Sequence, residues 1–191
     1  MAARKAVEQE LSRERILEAA RDLFVQHGYQ SVSMRQIARE LGYSHGAIYY
    51  HFKNKAELFY ALVQQDFLLL DTTLEELIAL PQTTAGEKLR RILLGFIEFG
   101  LRHQSHYEIM FLIKDEEVKS YLHQAPNESY EKFSRVVSDL SENKVSISAM
   151  WSLFLSLHGF ISHYCRSGQT FEEVEELAKA HVSYILQGIS K

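Results

Sequence analysis

Leu41-Gly42-Tyr43-Ser44-His45-Gly46-Ala47-Ile48-Tyr49-Tyr50-His51-Phe52-Lys53-Asn54-Lys55 is the stretch whose reading decides the fold. Gly42 supplies the left-handed backbone that a sharp turn needs. Ser44 then stands where a helix N-cap belongs. Ala47 and Ile48 are the inward positions of the helix that follows, and Phe52 belongs to the core. Ser44, His45, Tyr49, Tyr50 and His51 are left to face outward. Hydroxyls and imidazoles in a row on one short helix suit phosphate oxygens and base edges. Gly46 and Ala47 are small, so a groove can approach the helix closely.

The elements on either side fit a helix-turn-helix. Ser12 caps a first helix with Ile16, Ala19, Ala20, Leu23 and Phe24 on one face, and Gly28 ends it. Ser33-Met34-Arg35-Gln36 is a capping box that opens a second helix, with Ile37, Ala38 and Leu41 inward. Asn54-Lys55-Ala56-Glu57 opens a long fourth helix that carries Leu58, Phe59, Leu62 and Val63 and runs towards Pro81. Lys55 and the N-terminus of that helix are placed to meet a phosphate.

Beyond Pro81, helical periodicity continues. Thr84-Ala85-Gly86-Glu87 caps a fifth helix, and short helices are expected near Tyr107 to Ile113 and near Glu116 to His123. Pro126-Asn127 reads as a break before a helix over Glu128 to Leu140. Ser146 to Ser167 is long and mostly apolar. Gly168 stops it, and Thr170-Phe171-Glu172-Glu173 caps a last helix that ends near Gly188. The two prolines of the 191 residues favour helices throughout. The fold class expected is all-α: an N-terminal three-helix DNA-binding domain with the helix-turn-helix, then a larger helical bundle. The boundaries expected are an N-terminal arm over 1–11, the helix-turn-helix domain over 12–58 and the bundle over 59–191.

Composition narrows the partners. Hydrophobic residues make up 46% and charged residues 24%, the balance of a soluble folded chain, and no apolar run is long enough to span a bilayer. The N-terminus lacks the apolar core of a signal peptide. The single cysteine, Cys165, has no internal partner for a disulfide. A cytoplasmic location is expected. The net charge of −4 divides into +2 over residues 1–60 and −6 over the rest, so the less acidic end is the one suited to phosphates.

Residues 12–63 closely resemble the N-terminal domain of the TetR family of transcriptional regulators. The resemblance rests on Ile16-Leu17-Glu18-Ala19-Ala20 with Leu23-Phe24, on Gly28-Tyr29, and on Ser33 to Ala38. Gly42, Ser44, the run Gly46 to Lys55, and Glu57-Leu58 complete it. It implies an all-helical homodimer that binds a palindromic operator, usually as a repressor released by a small ligand. Carried onto this sequence, it marks Ser33, Met34 and Arg35 as phosphate contacts. Ser44, His45, Gly46, Tyr49, Tyr50, His51 and Lys55 are the other DNA-facing positions, with His45 leading the helix into the groove. An activator, or a regulator independent of ligand, would carry the same head.

The rest of the chain is rich in rings. Phe96, Phe99, Tyr107, Phe111, Tyr130, Trp151, Phe154 and His158 are the candidate lining of a pocket for a small hydrophobic or amphipathic effector, such as a fatty-acyl or toxic apolar compound. Trp151, His158 and Gly159 resemble the tryptophan-histidine-glycine signature of one class of TetR-family C-terminal domain, where His158 either bonds a ligand or fixes the bundle. Leu153, Leu157 and Phe160, together with Val174, Leu177, Ala178, His181, Val182 and Ile185, form apolar faces suited to a two-fold dimer. His103 and His106 stand three apart, a spacing that suits a metal, but no cysteine or carboxylate accompanies them. No metal, cofactor or catalytic group is therefore expected, and a helical-bundle metalloenzyme is the remote alternative.

Overall fold

A computed structural model describes residues 10–81, 84–113, 124–142 and 144–189. The helix expected over Glu116 to His123 lies outside the described residues. Among those residues the secondary structure is helical, without a strand. The head is α1 (Arg13–His27), α2 (Met34–Leu41) and α3 (His45–His51). The body follows as α4 (Lys55–Ala79), α5 (Ala85–Arg102), α6 (Gln104–Tyr107), α7 (Gln124–Leu140), α8 (Ile147–Tyr164) and α9 (Phe171–Ile189). α6 runs directly into a π-helical turn over Glu108–Leu112.

Local chemistry sets the ends of these helices. Ser12 Oγ accepts from the Arg15 amide at the start of α1. At α2, Ser33 Oγ accepts from the Gln36 amide while Gln36 Oε1 accepts from the Ser33 amide, so two orphan donors are satisfied reciprocally. Gly42 ends α2 at φ +74°, with its own amide and that of Tyr43 both reaching the Ala38 carbonyl. That closed turn fixes the angle between α2 and α3. At α4, Asn54 Oδ1 accepts from the Glu57 amide, but the Glu57 carboxylate accepts from Lys53 N rather than from the cap residue.

One expectation needs correction. Pro126 does not break the chain. It sits in the first turn of α7, which begins at Gln124, where a missing N–H costs nothing because that donor has no partner within the helix. α4 runs without a break across the division expected between 58 and 59, as the long fourth helix read from the sequence requires. Phe59 packs edge-on against Phe24 and Tyr29 in the head, while Phe67, Leu70 and Leu74 of the same helix are buried in the body. One hydrophobic cluster runs from Ile16 to Val182. α5 lies at its centre, packed by α4, α8 and α9. α1 meets the body at α4, at α6 and at the π turn.

A buried ion pair crosses this junction. Arg21 of α1 holds Asp66 of α4 with both forks, at 2.5 and 2.7 Å, and Asp66 is fully buried. Burial pushes the Asp66 carboxyl up to about 6, against the pull of the guanidinium. His106 of α6 feels Arg21 as well. Burial first, then Arg21 and His103, push its imidazole down to about 4.

Candidate nucleic-acid interface and effector cavity

α3 is held down by one side and open on the other. Ile48 is fully buried, which stabilises the seating of the helix by about 2 kcal/mol. Ser44, His45, Gly46, Tyr49 and Tyr50 are exposed, Tyr50 to 88%. Ser44 sits at the N-cap but makes no side-chain cap bond. A Cβ on Gly46 would meet nothing within 4 Å. His45 packs edge-on against Tyr49, and His51 against Tyr50, so the polar groups are braced as two pairs of rings.

The remaining DNA-facing expectations divide by exposure. Ser33 and Arg35 are exposed at the start of α2. The Met34 side chain is buried, so only its backbone amide is available to a phosphate. Lys55 is half-buried. Its Nζ donates to the Tyr29 carbonyl at 2.8 Å and lies 4.0 Å above the Tyr29 ring, which makes it a strut between α4 and the α1–α2 loop. Sequence reasoning missed Arg13. Its guanidinium stacks 4.0 Å over Phe52 and donates to the His51 carbonyl at 2.8 Å, closing the C-terminus of α3. The two partners are 38 residues apart, so no local pattern announces them.

The body holds a partly open cavity of about 250 Å³ between α4, α5, the π turn, α7 and α8. Of the residues named for ligand contact, Phe96, Phe111, Tyr130, Trp151 and Phe154 line it. Phe99 does not; it is buried beside His103. Tyr107 and His158 stand behind the wall rather than in it. The Tyr107 hydroxyl meets His158 Nδ1 at 2.7 Å, and Ser162 Oγ lies 3.3 Å from Nε2. His158 is thus tied to Tyr107 of α6 and to Ser162 of its own helix. The lining residues not anticipated are Phe67, Leu70 and Leu74 of α4, and Pro126, Asn127, Ser129 and Phe133 of α7. The three-four spacing of 67, 70 and 74 was the available signal.

Other expectations meet the structure unevenly. Leu153, Leu157, Val174, Ala178 and Val182 are buried inside a single chain and have no face to offer a partner. Leu177 is exposed at 55%, and Phe160, His181 and Ile185 are half-buried. The exposed apolar residues of α8 and α9 include Ile147, Leu155 and Tyr184, which sequence reading did not select for this face. His103 and His106 lie with ring centroids 5.4 Å apart, yet no group of three potential metal ligands occurs among the described residues. Burial pushes the Cys165 thiol up to about 11, with Glu108 adding to the shift, so it stays protonated and packs. Glu108 is itself buried in a two-pronged pair with Arg166, at 2.6 and 2.7 Å. No helix among the described residues is long and apolar enough to cross a membrane.

Residues 16–62 match the model of bacterial regulatory proteins, tetR family. The head thus carries the N-terminal domain of that family. The transcriptional repressor AcnR of Corynebacterium efficiens is 42% identical over 65 residues, which are 34% of this chain and 35% of that protein. The matched segment therefore spans about a third of the curated relative. Solved structures share the fold over nearly the whole length. A transcriptional regulator from Aquifex aeolicus superposes with a TM-score of 0.76 at 22% identity, covering 91% of this chain and 98% of its own. The TetR-family regulator PfmR from Thermus thermophilus gives a TM-score of 0.69 at 21% identity, over 91% and 97% of the two chains.

Proposed function

We propose that this TetR-family chain is a transcriptional repressor that binds a palindromic operator as a homodimer and leaves it when a small apolar or amphipathic compound fills the cavity. The observation that carries this reading is the open face of α3. Ser44, His45, Gly46 and Tyr50 are exposed together on a helix clamped by Ile48, the Gly42 turn and Arg13. In this reading α3 enters the major groove and the α2 N-terminus rests on the backbone. Ser33, Arg35 and the Met34 amide hold phosphates, while Tyr49, Tyr50 and His51 position the helix. His45 sets the preferred base. Lys55 contributes its charge from behind and keeps the head rigid. The second copy docks on the exposed apolar residues of α8 and α9, Leu155, Leu177 and Tyr184 among them.

α4 supports the coupling of cavity to head, because one helix both packs the head core at Phe59 and lines the cavity at Phe67, Leu70 and Leu74. A ligand that prefers the non-DNA state by about 1–3 kcal/mol lowers DNA affinity roughly 5- to 150-fold. The test is selection from a random duplex library followed by sequencing, with the wild type and with a His45→Ala variant. Enrichment of two inverted half-sites, with a changed preference for the variant, supports the reading. A wild-type pool without enrichment overturns it.

A further inference from the structure

The cavity wall carries information about the charge and size of its occupant. Among the described residues, seven of the twelve lining side chains are aromatic, and none of the twelve is charged. Ring faces present negative potential. The polar side chains that reach the space are those of Asn127, Ser129 and Tyr130. Ser129 is buried, and its hydroxyl proton is already committed, donating to Asp71 Oδ1 at 2.6 Å. What Ser129 itself offers the cavity is its oxygen as acceptor, made more negative by the carboxylate behind it.

The charges around Asp71 point the same way. Lys132 Nζ donates to Asp71 Oδ2 at 2.9 Å and to Glu75 Oε1 at 2.8 Å. Two carboxylates share one ammonium, so the cluster holds a net charge of −1 and its cation is engaged. At the Ser129 end a carboxylate would meet aromatic faces, a polarised acceptor and a net negative charge, leaving it only the Asn127 amide and the Tyr130 hydroxyl as donors. A donor or a cation would meet favourable partners at each point. Size adds a second limit. A cavity of about 150 Å³ holds benzene, so about 250 Å³ suits roughly ten to twelve heavy atoms, the size of two fused rings.

We propose that the cavity takes a compact aromatic ligand bearing an N–H donor or a positive charge, with Ser129, backed by Asp71, as its polar anchor. This deepens the regulatory reading above and rests on it for its biological meaning. It excludes fatty acids and other carboxylates as the preferred class.

The chain contains one tryptophan, Trp151, stacked on Tyr130 in the cavity wall at 4.7 Å between centroids. Its fluorescence therefore reports occupancy without a label or DNA. The probes are 1-naphthylmethylammonium, 1-naphthalenemethanol, 1-naphthoate and decanoate. The ammonium is expected to bind about tenfold more tightly than naphthoate, with the alcohol between them. Asp71→Asn should reduce the preference for the ammonium over the alcohol about threefold or more and leave the alcohol within about twofold. Glu75→Gln, at an exposed position, should act in the same direction and guards against a folding defect in the first variant. Naphthoate or decanoate binding as tightly as the ammonium overturns the proposal, as does quenching by none of the four. If the ammonium binds but leaves a DNA complex intact, this assignment stands and release by ligand is what fails.

Discussion

Replacing Arg21 with Met removes the cation that faces a fully buried carboxylate. Asp66 accepts both forks of the guanidinium, at 2.5 and 2.7 Å, across the junction of head and body. Stranding a buried partner of this kind costs about 3–5 kcal/mol. At roughly 2–4 °C per kcal/mol for a chain of this size, the midpoint of thermal unfolding should fall by about 6–20 °C. The double variant Arg21→Met with Asp66→Leu should recover to within about 1 kcal/mol of the wild type, because apolar groups of similar volume remove the desolvation cost.

The pH dependence has a defined sign. Burial raises Asp66 from 3.8 to about 6 in the folded chain. Stability from this group is fully present below pH 3.8 and is lost as pH rises through about 6. Without Arg21 the carboxyl rises further, so the deficit of the single variant should shrink as pH falls from about 7 to about 5. His106, held down at about 4, runs the other way in the wild type, losing stability as pH falls below 6.5. Removing Arg21 relaxes that depression too, which adds to the same trend. The assay is thermal and urea unfolding of the wild type and both variants, followed by far-ultraviolet circular dichroism at about pH 5 and pH 7. A single variant that loses less than about 1 kcal/mol, or a double variant as unstable as the single, would refute the reasoning.

Gly100→Ala should destabilise the body by about 1–3 kcal/mol in urea unfolding, because the new methyl would stand 2.5 Å from Ile161 Cγ2 and 3.1 Å from the Tyr107 ring. Gly46→Ala should do the opposite for folding, gaining about 0.5–1 kcal/mol of helix propensity in open space. The same methyl stands on the face proposed to enter the groove, so DNA affinity in fluorescence anisotropy should fall while the melting temperature rises. Leu177→Glu places a charge on an exposed apolar site of α9. Sedimentation should then show a monomer with unchanged helicity, and retention of the wild-type assembly would remove Leu177 from the interface.

What sequence made visible was local. The Ser33–Gln36 box, the Gly42 turn and the spacing of Ile37, Ala38 and Ile48 act within a few residues of one another, and the head follows from them. Partners far apart in the chain were not legible. Arg13 and His51 are 38 residues apart, and Arg21 and Asp66 are 45 apart; only folding brings them together. The apolar faces of α8 and α9 were legible as apolar, but not as to what covers them. Leu157 and Val182 would read the same whether they pack against α5 or against a second chain, and the structure buries both internally. Lys55 illustrates the other limit. Its charge and position suit a phosphate, while the Tyr29 carbonyl and ring, 26 residues back, already hold its ammonium.

The central claim is that α3 reads DNA in a symmetric pair of heads. The most direct measurement is an anisotropy titration of the duplex enriched from the random library, against a scrambled duplex of the same composition at physiological salt. The account predicts saturation at two chains per enriched duplex, with binding about a thousandfold tighter than to the scrambled one. Equal affinity for both duplexes would mean that the exposed row on α3 reads no sequence, and would contradict the account.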